Sequence, residues 1–106
     1  MLFELRRYRC RTGQRDAWVQ LMETRIIPAQ IAAGMSIVGS FVDEADPDVY
    51  IWIRRFASEA ERERLYAAFY QSDEWQLELS PLVDDLLHRD EIQVTRMLPT
   101  AVSALH

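Results

Sequence analysis

The stretch Val49-Tyr50-Ile51-Trp52-Ile53 decides the fold of this chain. It is a short apolar run, rich in β-branched and aromatic residues, between Asp46-Pro47-Asp48 and Arg54-Arg55. This composition predicts a strand that is buried on both faces. The remaining chain supplies enough helix to cover only one face of a small sheet. The other face is therefore predicted to bind a ligand or a second copy of the protein.

The patterns around this strand predict the order strand, helix, strand, strand, helix, strand. The predicted strands are residues 2–10, 35–43, 49–56 and 92–98, and the first helix is about 14–33, kinked or interrupted at Pro28. A capping box at Ser58-Glu59-Ala60-Glu61 begins the second helix, and Ser80-Pro81 restarts it. The order predicts an α+β fold, a ferredoxin-like βαββαβ unit with an antiparallel four-stranded sheet. We expect one domain over residues 1–98 and a C-terminal tail over 99–106.

Composition restricts the class of protein. A hydrophobic share of 49% excludes a disordered chain, and no apolar run approaches the ~20 residues of a membrane span. The net charge is −5, and the twelve basic residues are all arginine, so we expect neither nucleic-acid binding nor lysine chemistry. The opening residues do not resemble a secretory signal, and a single cysteine, Cys10, fits a reducing compartment. These features predict a cytoplasmic protein.

The period of two along the strands separates an apolar sheet face from a mixed one. If the helices cover the face that carries Leu5, Ile51 and Ile53, the opposite face carries charged and aromatic side chains: Glu4, Arg6, Tyr8, Tyr50, Trp52 and Arg54. Such a face predicts a cavity for a planar or anionic small molecule, because arginine supplies forked donors and the rings stack. The alternative is structural, with Arg6 or Arg54 paired with Glu4 and the rings filling an interface.

Other reactive groups predict little chemistry. Cys10 lies between Arg9 and Arg11, which favour a thiolate, but no histidine is near in sequence, so a structural role is favoured. His88 lies at a helix end, where a surface role is favoured. No cysteine or histidine pair has metal-ligand spacing, and no phosphate or dinucleotide motif occurs. We therefore predict no metal and no cofactor.

Three stretches resemble a known family. They are Phe3-Glu4-Leu5-Arg6-Arg7-Tyr8 followed by Thr12-Gly13, the aromatic strand running into Phe56-Ala57-Ser58-Glu59-Ala60-Glu61-Arg62, and Ser72-Asp73-Glu74-Trp75. In this order and spacing they resemble the NIPSNAP family over residues 2–98. The resemblance implies a dimeric α/β barrel, in which two ferredoxin-like sheets pack face to face, and a domain of largely unknown biochemistry.

Three kinds of function follow as hypotheses. The first is a homodimeric module that holds a small molecule in its interior, with no nucleic-acid or membrane partner. The second is a cofactor-independent oxygenase or isomerase, a class that also uses dimeric α/β barrels. In it Arg6 or Arg54 would stabilise an enolate-like anion, and Tyr8 or Tyr50 would donate a proton. The third is an interaction scaffold that binds through its outer helices.

Overall fold

A four-stranded antiparallel sheet forms the centre of the protein in a computed structural model that describes all 106 residues, Met1–His106. Its strands are β1 (Leu2–Arg9), β2 (Ser36–Val42), β3 (Val49–Phe56) and β4 (Gln93–Met97). They lie in the order β2-β3-β1-β4, so the two central strands are the first and third of the chain. The predicted ferredoxin-like βαββαβ order is confirmed.

Three helices complete the fold, and two of them contain a π-helical segment. Helix α1 joins Arg15–Leu21, a π-helical Met22–Ile26 and Ile27–Ala32; α2 is Glu59–Tyr70; α3 joins a π-helical Glu74–Leu79 to Ser80–Leu86. The wide π-helical turn of α1 lies just before Pro28, whose nitrogen carries no hydrogen, so the helix continues through the proline. No helix in the structure is both long and apolar enough to cross a membrane.

Serine residues mark the beginnings of α2 and α3. The Ser58 hydroxyl accepts a hydrogen bond from the Glu61 amide at 3.1 Å, which confirms the serine half of the predicted capping box. The reciprocal bond from the Ser58 amide to the Glu61 carboxylate does not form. The α-helical part of α3 begins at Ser80 as predicted, but the helix itself begins earlier, with the π-helical segment at Glu74. The Ser72 hydroxyl accepts from the Trp75 amide at 3.2 Å and supports that earlier first turn.

The helices pack against the mixed face of the sheet. The prediction that they cover Leu5, Ile51 and Ile53 is wrong, since these three side chains lie on the opposite face and are only half-buried. The core instead joins aromatic residues of the sheet to helix residues: Tyr8, Tyr50, Trp52 and Phe56 with Trp18, Met22, Leu65 and Phe69. The aromatic side chains are the larger, so burying them removes more apolar surface from water.

The opposite face of the sheet, which we call the outer face, carries no helix. Phe41 on this face is 54% exposed and folds over Gly39, where a Cβ atom would lie 2.4 Å from the Phe41 ring. Residues 98–105 lie at one end of the outer face beside Phe3, and the Arg55 guanidinium donates to the His106 carbonyl. On the central strands, three apolar side chains of this face are left partly exposed: Leu5, Ile51 and Ile53.

Candidate functional site

The sheet face that the helices cover is called the inner face. A cavity of about 320 Å³ lies between this face and the helices. Six aromatic residues form much of its wall, beside aliphatic ones: Tyr8, Trp18, Trp52, Tyr66, Tyr70 and Trp75. The polar side chains that line it are Arg6, Gln30 and Arg89, beside the tyrosine hydroxyls. A volume at the small end of the range for ligand pockets suits a compound of one or two rings.

The aromatic walls hold one another in fixed orientations. The Tyr8 ring meets Trp18 edge-on at 5.7 Å and Trp52 at 6.2 Å between centroids. On the helix side, Tyr70 and Trp75 meet edge-on at 5.0 Å. Edge-on contacts of this kind are favourable and restrict ring rotation. The cavity is therefore a stiff space whose walls can contact a flat ligand.

A buried charge network lies next to the cavity. Glu4 Oε1 accepts from Arg54 Nη2 at 3.0 Å and from the Tyr66 hydroxyl at 2.6 Å. Glu4 Oε2 accepts from Arg62 Nε at 2.7 Å. The side chains of Glu4 and Arg54 are fully buried, and each neutralises the charge of the other. Burying either charge alone would destabilise the fold. Arg54, and not Arg6, is therefore the partner of Glu4.

The remaining donors of Arg54 are also occupied by the protein. Nη1 donates to Gln30 Oε1 at 3.1 Å and to the Tyr70 hydroxyl at 2.8 Å. The guanidinium carbon lies 4.7 Å from the centroid of the Trp52 ring, which adds a cation–π contact. Only Nε lacks a partner. Arg54 thus holds the sheet, α1 and α2 together.

The network fixes the protonation states of its members. Burial raises the pKa of Glu4, but hydrogen bonds from Tyr66 and Arg62 and the charges of Arg54 and Arg62 outweigh it, so the pKa is lowered overall. Burial raises the pKa of Tyr66 to about 12. At neutral pH the network contains an ionised carboxylate and a tyrosine that keeps its proton.

Acid should weaken the fold through Glu4. Because the pKa of Glu4 is lower in the folded protein than its usual value of 4.5, its ionisation contributes stability above that pH and loses it as pH falls. We expect the free energy of unfolding to decrease below about pH 4.5, and to decrease less in Glu4→Gln. Urea unfolding of both proteins from about pH 7 to about pH 3 measures this. A difference between them that does not change with pH would contradict the ionised state of Glu4.

Arg6 is the cavity arginine without an acidic partner. Its Nε donates to the Tyr8 hydroxyl at 2.7 Å, and no carboxylate lies within 4.0 Å of its guanidinium. Burial lowers the pKa of Arg6, but interaction with Tyr8 outweighs it, so the pKa is raised overall and the group stays charged. Arg89, by contrast, is held by Asp84 and Ser80. The cavity therefore carries one positive charge that no protein group neutralises.

The structure divides the six residues that the sequence grouped together. Arg6, Tyr8 and Trp52 line the cavity, whereas Glu4 and Arg54 belong to the charge network. Tyr50 lies in the core, where its hydroxyl is 2.6 Å from Ser40 Oγ and burial raises its pKa to about 12. All six lie on the inner face, not on the outer one as predicted.

Sequence reasoning missed the helix residues that complete the site. Tyr66 and Tyr70 are one helical turn apart on α2, and Gln30 is a buried polar residue on α1. The spacing of the two tyrosines was the available signal, since residues four apart share a helix face. It shows that this helix brings hydroxyl groups to the inner face.

Two further groups lie outside the cavity. Cys10 is buried, and burial, with the charge of Asp48, raises its pKa to about 11, so the neighbouring arginines do not make it a thiolate. His88, Asp90 and Glu91 bring one potential ligand atom each within 4.8 Å of one another. Asp90 and Glu91 are exposed, and Glu91 lies 3.9 Å from Arg9, so this is a surface cluster.

The architecture defines the chain as a ferredoxin-like α+β protein with an aromatic cavity between its sheet and its helices. The family model of NIPSNAP matches residues 3–104, and the chain belongs to this family. None of the curated proteins compared with the chain matches it.

Solved structures of similar fold include members of this family and proteins described in other terms. Two crystal structures of one NIPSNAP family protein of unknown function from Agrobacterium tumefaciens are 27% identical to this chain, with TM-scores of 0.90 and 0.89. They align over 100% of this chain and over 100% and 94% of theirs. A structure described as an antibiotic biosynthesis monooxygenase is 18% identical, with a TM-score of 0.69, over 94% of this chain and 99% of its own. This second likeness shows the fold alone.

Proposed function

We propose that this protein is a homodimer that binds a small, planar, anionic molecule in the cavity between the sheet and the helices. The observation that carries the proposal is Arg6, a charged guanidinium at an aromatic cavity with no carboxylate partner. A partly buried charge without a partner is costly unless a bound group neutralises it. The wall of Tyr8, Trp18 and Trp52 supports a flat ligand, which would contact the rings while its anionic oxygen pairs with Arg6.

Replacing Arg6 tests this function. The ligands to test are anions that raise the melting temperature of the wild type. For these, Arg6→Gln should weaken the binding affinity by at least about tenfold, because a charge-assisted hydrogen bond is lost. The fold should persist, since the guanidinium of Arg6 pairs with no acid of the protein. The matched control is Arg7→Gln, on the outer face, where Arg7 lies 3.6 Å from Asp43. Thermal shift and calorimetry of both variants measure the effect.

Two results would contradict this role of Arg6. One is anion binding that Arg6→Gln and Arg7→Gln change equally, since the charge would then act only over long range. The other is strong coupling between Arg6→Gln and Glu4→Gln in the free energy of unfolding. Arg6 and Glu4 share no hydrogen bond, so their effects on stability should add.

The outer face of the sheet supports the proposal of a homodimer. Leu5, Ile51 and Ile53 are half-buried there, Phe41 is 54% exposed, and no helix covers them. An apolar sheet face without a cover favours a second copy of the chain, related by a two-fold axis. We expect a dimer at micromolar concentration in sedimentation equilibrium, and a monomer for Ile53→Asp. A monomeric wild type would contradict the dimer and leave the cavity proposal unaffected.

A cofactor-independent oxygenase or isomerase is the second candidate. The Arg6–Tyr8 pair favours it, because Arg6 would stabilise an enolate and Tyr8 would donate a proton. No carboxylate or imidazole lines the cavity, so an isomerase would lack a base to remove a proton from carbon. An oxygenase avoids this need when its substrate binds already ionised as an enolate, so it is the stronger form of this candidate, in line with the monooxygenase that shares the fold. Oxygen consumption with ligands found by thermal shift would distinguish it from simple binding.

We further propose a cytoplasmic location for the protein. Its single cysteine, Cys10, is buried and free, as expected in a reducing compartment.

A further inference from the structure

The direction of each hydrogen bond in the charge network is fixed by Glu4. An ionised carboxylate only accepts, so the Tyr66 hydroxyl must donate its proton to Glu4 Oε1, 2.6 Å away. The Tyr66 oxygen in turn accepts from Arg54 Nη2. Tyr66 is therefore satisfied both as donor and as acceptor, and its proton points away from the cavity.

The same logic assigns the amide of Gln30 and the hydroxyl of Tyr70. Arg54 only donates, so the Gln30 atom 3.1 Å from its Nη1 must be the carbonyl oxygen, and the amide nitrogen faces Tyr70 at 3.4 Å. The Tyr70 oxygen accepts from Gln30 and from Arg54, the latter at 2.8 Å. Its own proton has no acceptor in the protein, although Tyr70 lines the cavity.

The wall of the cavity that the sheet forms also carries hydrogen-bond donors without protein acceptors. The Tyr8 oxygen accepts from Arg6 Nε, and its proton has no protein acceptor. The two Nη groups of Arg6 donate to no protein atom. The indole nitrogens of Trp18 and Trp52, two residues of the cavity wall that are each 2% exposed, also lack partners. Unsatisfied buried donors of this kind are uncommon and are expected to have a reason.

We infer that the site takes ligands that only accept hydrogen bonds: planar ring compounds whose polar edge carries carboxylate, enolate or carbonyl oxygens and no N–H or O–H group. The inference rests on the proposed function and specifies its ligand class. The side chains that line the cavity include no carboxylate, imidazole, serine or threonine. The lining side-chain oxygens, those of Gln30 and the tyrosines, already accept hydrogen bonds from protein donors. A ligand N–H would therefore lose its water partners and find no free side-chain partner, whereas a ligand oxygen would satisfy the free donors.

Three probes that share one skeleton test this polarity on the full chain. They are 2-naphthoate, 2-acetylnaphthalene and 2-naphthamide, in which the carbonyl group carries O⁻, CH₃ or NH₂. We expect calorimetry to show naphthoate at least about tenfold tighter than naphthamide. An ionised carboxylate leaves water less readily than an amide, so simple apolar burial predicts the opposite order.

A variant should shift the preference toward donors. In Gln30→Glu, one oxygen still accepts from Arg54, and the other faces Tyr70 as an acceptor. Tyr70 would then donate to residue 30 and turn an oxygen lone pair to the cavity. We expect the affinity ratio of the two neutral probes to shift about fivefold toward naphthamide. The control Gln20→Glu adds the same charge at an exposed position of α1 and should leave the ratio unchanged.

The outcomes separate the inference from the function on which it rests. Naphthamide binding as tightly as naphthoate, or an unchanged ratio in folded Gln30→Glu, would overturn the ligand polarity while the cavity remains a binding site. Failure of all three probes to bind would overturn both. If Gln30→Glu does not fold, the probe order in the wild type decides alone.

Discussion

Glu4→Gln is expected to lower the free energy of unfolding at neutral pH by about 3–5 kcal/mol. The substitution leaves the fully buried guanidinium of Arg54 with only neutral acceptors. It also takes the anion away from Arg62, but that side chain is 21% exposed and reaches water. Removing the Glu4 carboxylate should therefore lower the free energy of unfolding more than removing Arg54, because without Arg54 the carboxylate would keep Arg62 and Tyr66 as donors.

Urea unfolding of two further variants checks this account. Glu59→Gln is the matched control, because Glu59 also pairs with Arg62, at 3.4 Å, but is exposed, and it should cost below about 1 kcal/mol. The double variant Glu4→Gln/Arg54→Met should lose less than the sum of its single changes, because the stranded charge is gone. A loss below about 1 kcal/mol for Glu4→Gln would mean that water reaches the network.

Trp52→Ala should cost a similar amount, about 3–5 kcal/mol, through loss of packing. Trp52 is 2% exposed at the centre of β3, with Tyr8 at 6.2 Å and the Arg54 guanidinium over its ring. Alanine would leave an empty volume beside the existing cavity, and stiff aromatic neighbours fill such a space poorly.

Thermal and urea unfolding of Trp52→Ala measure the loss. Leu77→Ala serves as the control, because Leu77 is 73% exposed and its truncation should change stability by at most about 0.5 kcal/mol. If Trp52→Ala costs below about 1 kcal/mol, Trp52 does not lie between the sheet and the helices.

The order of strands and helices could be predicted because its signals are local. The apolar run at 49–53 and the proline-containing turn before it define β3, and Ser58 defines the beginning of α2. Each depends on residues within a few positions of one another. The beginning of α3 was predicted too late because Ser80-Pro81 is the stronger sequence signal, whereas Ser72 makes the capping bond.

Which sheet face meets the helices could not be predicted from alternation. The apolar set Leu5, Ile51 and Ile53 appeared to be the better core, since the other set contains charges. The charged set is buried because Glu4 finds Arg54, which is 50 positions away in sequence, and Arg62, which is 58 away. Partners at such separations appear only in the folded chain. The same holds for the cavity, whose polarity depends on helix residues.

The position of Cys10 allows thiol labelling to report local opening of the native protein. Its amide donates to the Asp48 carbonyl at 2.7 Å, and it forms an isolated bridge with Leu87, at the junction of β1, β3 and the end of α3. The thiol is 1% exposed and its raised pKa keeps it protonated at neutral pH. A thiol reagent therefore reacts only when this junction separates. Because the chain has no other cysteine, the labelling rate follows the opening of that one corner directly.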